Sequence, residues 1–195
     1  MKRSILLIAS IIFISTVFAQ GLKLGIKAGA NINKIDGRSF KEEFNFGYQV
    51  GGFATIGLTK KLAIQPEVLF NQSNTTASTQ FQDIYTNAVS PDYLKEVKLN
   101  YLTIPILLNY NLTKGIALQA GPQFGILLDQ SKTLLANGSE AFKQGDLSML
   151  GGVQIKLSAF RIYGRYQIGL SNINDIDNQD KWKSQAIQLG IGFTL

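Results

Sequence analysis

The chain has no cysteine and no histidine among its 195 residues. Without cysteine there is no disulfide staple and no thiolate metal site. Without histidine the commonest general base and the commonest metal ligand are both missing. Tryptophan occurs once and proline four times. Long hydrophobic runs are also missing after the first twenty residues, so no helix of the roughly 20 apolar residues needed to cross a bilayer can form there. Any membrane insertion by the rest of the chain must therefore use strands.

The one apolar run stands at the start. Lys2 and Arg3 form a basic head, Ile5 to Ile14 an apolar stretch, and Val17-Phe18-Ala19 a small-residue cleavage site. Residues 1–19 are read as a cleaved signal peptide and 20–195 as one domain. No cysteine follows the cleavage point, which excludes a lipoprotein anchor. The precursor carries a net charge of +6, and removing Lys2 and Arg3 leaves about +4.

What the chain does have is alternation. In the C-terminal stretch Ile187, Leu189, Ile191, Phe193 and Leu195 fall on one side, and Gln188, Gly190, Gly192 and Thr194 on the other. A strand places successive side chains on opposite faces, so this is a strand with one greasy and one small polar face. Eight such segments can be marked: Leu22–Ile32, Phe46–Leu58, Leu62–Gln72, Val97–Tyr110, Ile116–Leu128, Leu147–Leu157, Phe160–Leu170 and Ser184–Leu195. Most reach the roughly 9–11 residues of a tilted membrane-spanning strand. Their connections alternate between tight turns (Thr59 to Lys61, Asn111 to Gly115, Ser158-Ala159) and long polar segments (Asn33 to Asn45, Ser73 to Glu96, Asp129 to Asp146, Ser171 to Lys183). Short turns at one end and long loops at the other mark an outer-membrane barrel.

Volume decides which face points outward. The apolar face carries large residues such as Ile26, Tyr48, Val68, Phe124 and Ile168; the other carries Gly25, Gly29, Gly51, Gly121, Gly152, Gly190 and Gly192 among Gln, Lys and Thr. The interior of an eight-stranded barrel is just wide enough for side chains to fill it, so the small polar set goes inside and the apolar set meets lipid. The fold expected is all-β, an eight-stranded antiparallel up-and-down transmembrane β-barrel. It would sit in the outer membrane of a Gram-negative bacterium with both termini periplasmic. Aromatics near the strand ends, among them Phe46, Tyr48, Tyr110, Phe160 and Phe193, fit interfacial girdles. Pro66, Pro105 and Pro122 fall inside strands and are read as bulge or edge-adjusting positions.

Tyr101-Leu102-Thr103-Ile104-Pro105-Ile106-Leu107-Leu108-Asn109-Tyr110 resembles a strand of the small outer-membrane β-barrel domain family that includes PorT-like and OmpX-like barrels. Gln65 to Phe70, Ala120 to Gly125 and Arg165 to Ile173 resemble further pieces of it. The resemblance implies an eight-stranded barrel, with some relatives serving as accessory parts of a secretion apparatus. It brings no catalytic motif. The chain departs from the usual insertion signal by ending in Leu195, with Phe193 two residues earlier.

Three groups of residues are candidates for function. Lys27, Glu67 and Arg165 each lie five positions into an upward strand and should share a depth in the lumen. An ion-pair cluster is expected there, with Glu67 between the two cations and with Gln123, Gln154 and Gln188 joining it. Lys23, Lys156 and Arg161 extend the same basic face. The cluster reads as a structural plug or as a narrow anion-attracting path. Phe81, Tyr85 and Tyr93 in the second long loop are contact anchors or packing onto the rim. Asn174, Asp175, Asp177 and Asp180 bring oxygen ligands close together, as Ca²⁺ requires, without the EF-hand spacing.

No enzyme is expected, since the loop carboxylates form no paired arrangement and no histidine supports a triad. No cofactor and no nucleic-acid partner is expected. The partners expected are outer-membrane lipid and, as a candidate, a protein of the envelope or secretion machinery. A small anion-attracting transport channel is the competing function.

Overall fold

A computed structural model describes residues 21–36, 45–75, 97–130, 145–173 and 182–195. Eight strands follow one another: β1 Lys23–Asp36, β2 Asn45–Gly57, β3 Leu62–Thr75, β4 Val97–Asn111, β5 Ile116–Gln130, β6 Gly145–Leu157, β7 Phe160–Gly169 and β8 Lys183–Thr194. Every neighbour pairs antiparallel, and β8 returns to β1 to close the barrel. Closure leaves no unpaired edge, the condition a strand-built membrane protein must meet.

Alternation decides the facing along each strand. Ile26 and Ile191 are 59% and 61% exposed on the outside, while their neighbours Lys27 and Gly192 are buried on the inside. The outward set is continuous around the wall and wholly apolar over the middle of the strands, as a lipid-facing band must be. It ends in interfacial aromatics: Phe160 packs edge-on against Phe193 at 5.3 Å near the tight turns, and Tyr48 lies 6.1 Å from Phe70 towards the loops. Lys156 and Phe160 belong to the tightest hairpin, β6–β7, whose two-residue turn places Ser158 at φ 58.

Two details differ from expectation. β1 and β3 run on to Asp36 and Thr75, past the Asn- and Ser-rich positions where loops were expected to begin. Those polar residues still alternate, and the ladder to β8 pairs Asp36 with Lys183, so the wall continues above the apolar band. The prolines, too, do not form bulges. Pairing is interrupted between Phe53↔Glu67 and Ile56↔Ile64, between Pro66↔Ile106 and Leu69↔Thr103, and between Pro105↔Gln123 and Leu108↔Ala120. The register is the same on both sides of each gap, so no residue is inserted. A bulge needs an extra residue; a proline without an N–H loses ladder bonds and leaves the count unchanged. Among the described residues the one shift of register lies elsewhere, at Asn100/Tyr101.

Candidate functional site: the lumen

The inward side chains stack in three layers. The middle layer is centred on Glu67. Arg165 reaches across from β7 and donates from Nη1 to Oε2 at 2.9 Å and from Nη2 to Oε1 at 2.8 Å. Lys27 on β1 donates to Oε2 at 2.8 Å. The side chains of all three are almost completely buried. Gln65, two residues earlier on the same face of β3, donates to Oε1 at 2.7 Å. The network then runs sideways. Arg165 Nε donates to Gln119 Oε1 at 2.8 Å, Gln119 donates to Asn109 and to Gln154, and Asn109 donates to Gln65. A buried charge is tolerated when it is paired and its remaining hydrogen-bonding capacity is met, and this carboxylate accepts four bonds.

Tyr163 floors the same layer. Lys27 Nζ stands 3.7 Å from its ring centroid and the Arg165 guanidinium 4.6 Å. Its hydroxyl accepts from Gln49 at 3.0 Å. The ring fits because β1 and β8 are bare beneath it: a methyl group on Gly29 or Gly190 would collide with the tyrosine hydroxyl and with backbone of the adjacent strand. Phe53 repeats the arrangement nearer the tight turns, against Gly25. Inward glycines on the neighbouring strands β1 and β8 thus make room for aromatics from the strands that flank them, Phe53 on β2 and Tyr163 on β7. Phe53 and Tyr163 are not among the residues expected in the lumen, because aromatics in the strands read as girdle residues. Their inward positions, opposite a row of inward glycines, are the signal that could have found them.

The expected group of charges is divided by the structure. Lys27, Glu67 and Arg165 come together, and Gln154 joins them through Gln119. Gln123 and Gln188 do not. They sit one layer towards the loops and both donate to Gln167 at 3.1 Å. Lys23, Lys156 and Arg161 also stand apart, at the tight-turn mouth. Lys156 donates to Asn111 Oδ1, and Arg161 to the carbonyls of Ser158 and Phe160. Position along a strand gives depth only to within the stagger between strands, which is why the glutamines fall in a different layer.

The third layer, at the loop side, is closed by apolar bulk. Trp182, Ile173, Leu99 and Tyr101 are buried there, and the last three border a void of about 30 Å³. Ile173 donates from its backbone to Trp182, and Asp146 accepts from Ser171 and Ser184, both at 2.9 Å. At the opposite end the lumen opens into a vestibule of about 370 Å³ lined by Lys23, Lys114, Lys156 and Arg161.

Phe81, Tyr85, Tyr93, Asn174, Asp175, Asp177 and Asp180 lie outside the described residues. Among the described residues, no group of three or more histidine, cysteine, aspartate or glutamate side chains is placed to hold a metal ion.

A closed eight-stranded wall, greasy outside and packed with polar side chains inside, is the form that comparison with known proteins returns. Residues 18–175 match the model of the outer membrane protein beta-barrel domain. The chain belongs to that family. Similar solved structures include Ail, the attachment invasion locus protein of Yersinia pestis, in complex with the heparin analogue sucrose octasulfate. It is 12% identical with a TM-score of 0.53, covering 89% of this chain and 99% of that one. Neisserial surface protein A is 14% identical, also at 0.53, covering 90% and 99%. At such identities the likeness is one of fold. A search of curated proteins finds no match.

Proposed function

We propose that this outer-membrane barrel is a closed-lumen structural or interaction protein. It would work as an accessory of an envelope or secretion assembly, docking a protein partner through its long external loops or its tight-turn face. Both chain ends and the tight turns would face the periplasm, with residues 1–19 removed on export. No chemistry is assigned to it.

One observation carries this reading. The middle of the lumen is spanned by a fully hydrogen-bonded set, Lys27–Glu67–Arg165 with Gln65, Asn109, Gln119 and Gln154, on top of the Tyr163 ring. Passage of a solute would require breaking buried ion pairs, which are costly to separate. A bolted interior suits a scaffold better than a pore.

The competing reading is a small anion-attracting channel. Two cations face one carboxylate at mid-lumen, and the vestibule below adds further positive charge. Two measurements separate the readings. Mild crosslinking and affinity recovery of the tagged protein from intact outer membranes should yield a stoichiometric protein partner. Purified barrel in planar bilayers should give no steady current. A steady anion-selective conductance, with the barrel recovered alone, reverses the order.

A further inference from the structure

The vestibule at the tight-turn mouth has a composition that packing does not explain. Lys156 and Arg161 are direct cross-strand partners in the β6–β7 hairpin, and both line the lumen. Like charges directly opposite one another destabilise a strand pair. Lys23 and Lys114 line the same cavity, and among the described residues no carboxylate side chain does. By contrast, each cation of the Glu67 layer has a carboxylate oxygen within 2.8 Å. A structure that satisfies charge in one layer and concentrates charge of one sign in the next departs from its own rule, and such departures belong at functional sites.

From this we infer that the vestibule is a binding site for a multiply charged oxyanion of the phosphate class. Its size, about 370 Å³, lies within the range of about 300–1,000 Å³ typical of small-molecule sites. Its inner end is closed by Gln154 and the network behind it, so it is a pocket and not the start of a path. Thr55, Thr59 and Asn111 add neutral hydrogen-bonding groups to the wall. Arg161 is held in place by the Ser158 and Phe160 carbonyls, which fixes its head at the mouth before any ligand arrives. A guanidinium fork with three ammonium groups recognises phosphate oxygens both in geometry and in charge. Two sources share this chemistry: a soluble phosphorylated compound, and the phosphate headgroup of a lipid in the adjoining leaflet.

The test is titration calorimetry of the full barrel, refolded in zwitterionic micelles at low salt, with sodium pyrophosphate as probe. Saturable binding near one to one is expected, weakening as salt is added. The double variant Lys156→Gln/Arg161→Gln should lose at least tenfold in affinity, and Lys23→Gln should lose less. Lys60→Gln, on an exposed turn outside the cavity, should bind as the native barrel does. The double variant should melt no lower than the native barrel in anion-free buffer, because a repulsion has been removed, and this separates loss of binding from loss of fold. Repeating the titration in phosphatidylcholine nanodiscs with and without phosphatidylglycerol decides the source. Competition by the anionic lipid identifies a headgroup site, and unchanged binding a soluble ligand; either upholds the phosphate site. Absence of saturable heat, or binding that survives the double variant, overturns it.

Discussion

Arg165 and Glu67, 98 residues apart in the chain, meet at mid-lumen through two parallel hydrogen bonds of 2.9 and 2.8 Å. This fork also sets the direction of the carboxylate's other bonds, since Lys27 and Gln65 complete one oxygen each. Glu67→Gln should therefore destabilise the barrel by about 3–5 kcal/mol, the cost of leaving buried cations without their counter-charge. Urea unfolding in micelles measures it. A triple change of Lys27, Glu67 and Arg165 to methionine should recover part of the loss, because no buried charge is left unpaired, while Gln65 and Gln119 each lose one partner. An unchanged midpoint for Glu67→Gln would remove the cluster from the account of stability.

Tyr163 serves the same layer by ring and by hydroxyl, and the two can be separated. Tyr163→Phe keeps the ring below Lys27 and loses the Gln49 bond, at about 1 kcal/mol. Tyr163→Leu loses the ring as well and should cost about 2 kcal/mol more, from the cation–π contacts and the smaller contact area. Equal losses in the two variants would mean that the ring contributes nothing beyond filling space.

The glycines offer a paired comparison. Gly190→Ala would press a methyl group into the Tyr163 ring and the Ala28 carbonyl, and should cost about 1–3 kcal/mol as overpacking does. Gly151→Ala points a methyl group outward with nothing within 4 Å and should be neutral or mildly stabilising. Thermal melting of the two variants side by side checks the lumen geometry without disturbing any charge.

The proline gaps predict a difference in protection. Backbone amides of β3, β4 and β5 around Pro66, Pro105 and Pro122 should exchange hydrogen faster than those at the same depth in the β1–β8 ladder, which pairs without a break from Gly25 to Asp36. Exchange of the barrel in nanodiscs, followed residue by residue, measures this. Uniform protection around the wall would contradict it.

Much of this architecture is legible in the alternation. Period two fixes the face of each residue, and the volume limit of a narrow barrel fixes which face is inside, so the wall and the inward glycines follow from residues alone. Counting along upward strands also placed Lys27, Glu67 and Arg165 together, because those three strands start at a common level. The same counting failed for Gln123 and Gln188, since the levels of other strands are offset by a stagger that no single strand reveals. The vestibule was hidden for a related reason. Lys23, Lys156 and Arg161 carry the same charge and face inward like Lys27, and only register shows that they have no carboxylate at their depth. Asn33 and Ser73 looked like loop residues because, above the apolar band, composition no longer separates strand from loop.

The three gaps also adjoin one another. Pro66, Ile106 and Pro122 stand side by side on the outer face of β3, β4 and β5, while the ladders from β5 onward through β8 to β2 are continuous. With rungs missing on one side only, the cylinder should be stiffer on the β6–β1 side than on the β3–β5 side. Under the lateral pressure of the bilayer it should not shrink evenly but ovalise about a fixed axis, bending where the prolines have removed the rungs. A tube with a built-in crease transmits a squeeze as a change of cross-section in one direction, so thickening or tension in the surrounding lipid would reach the inner layers of side chains from the β3–β5 side.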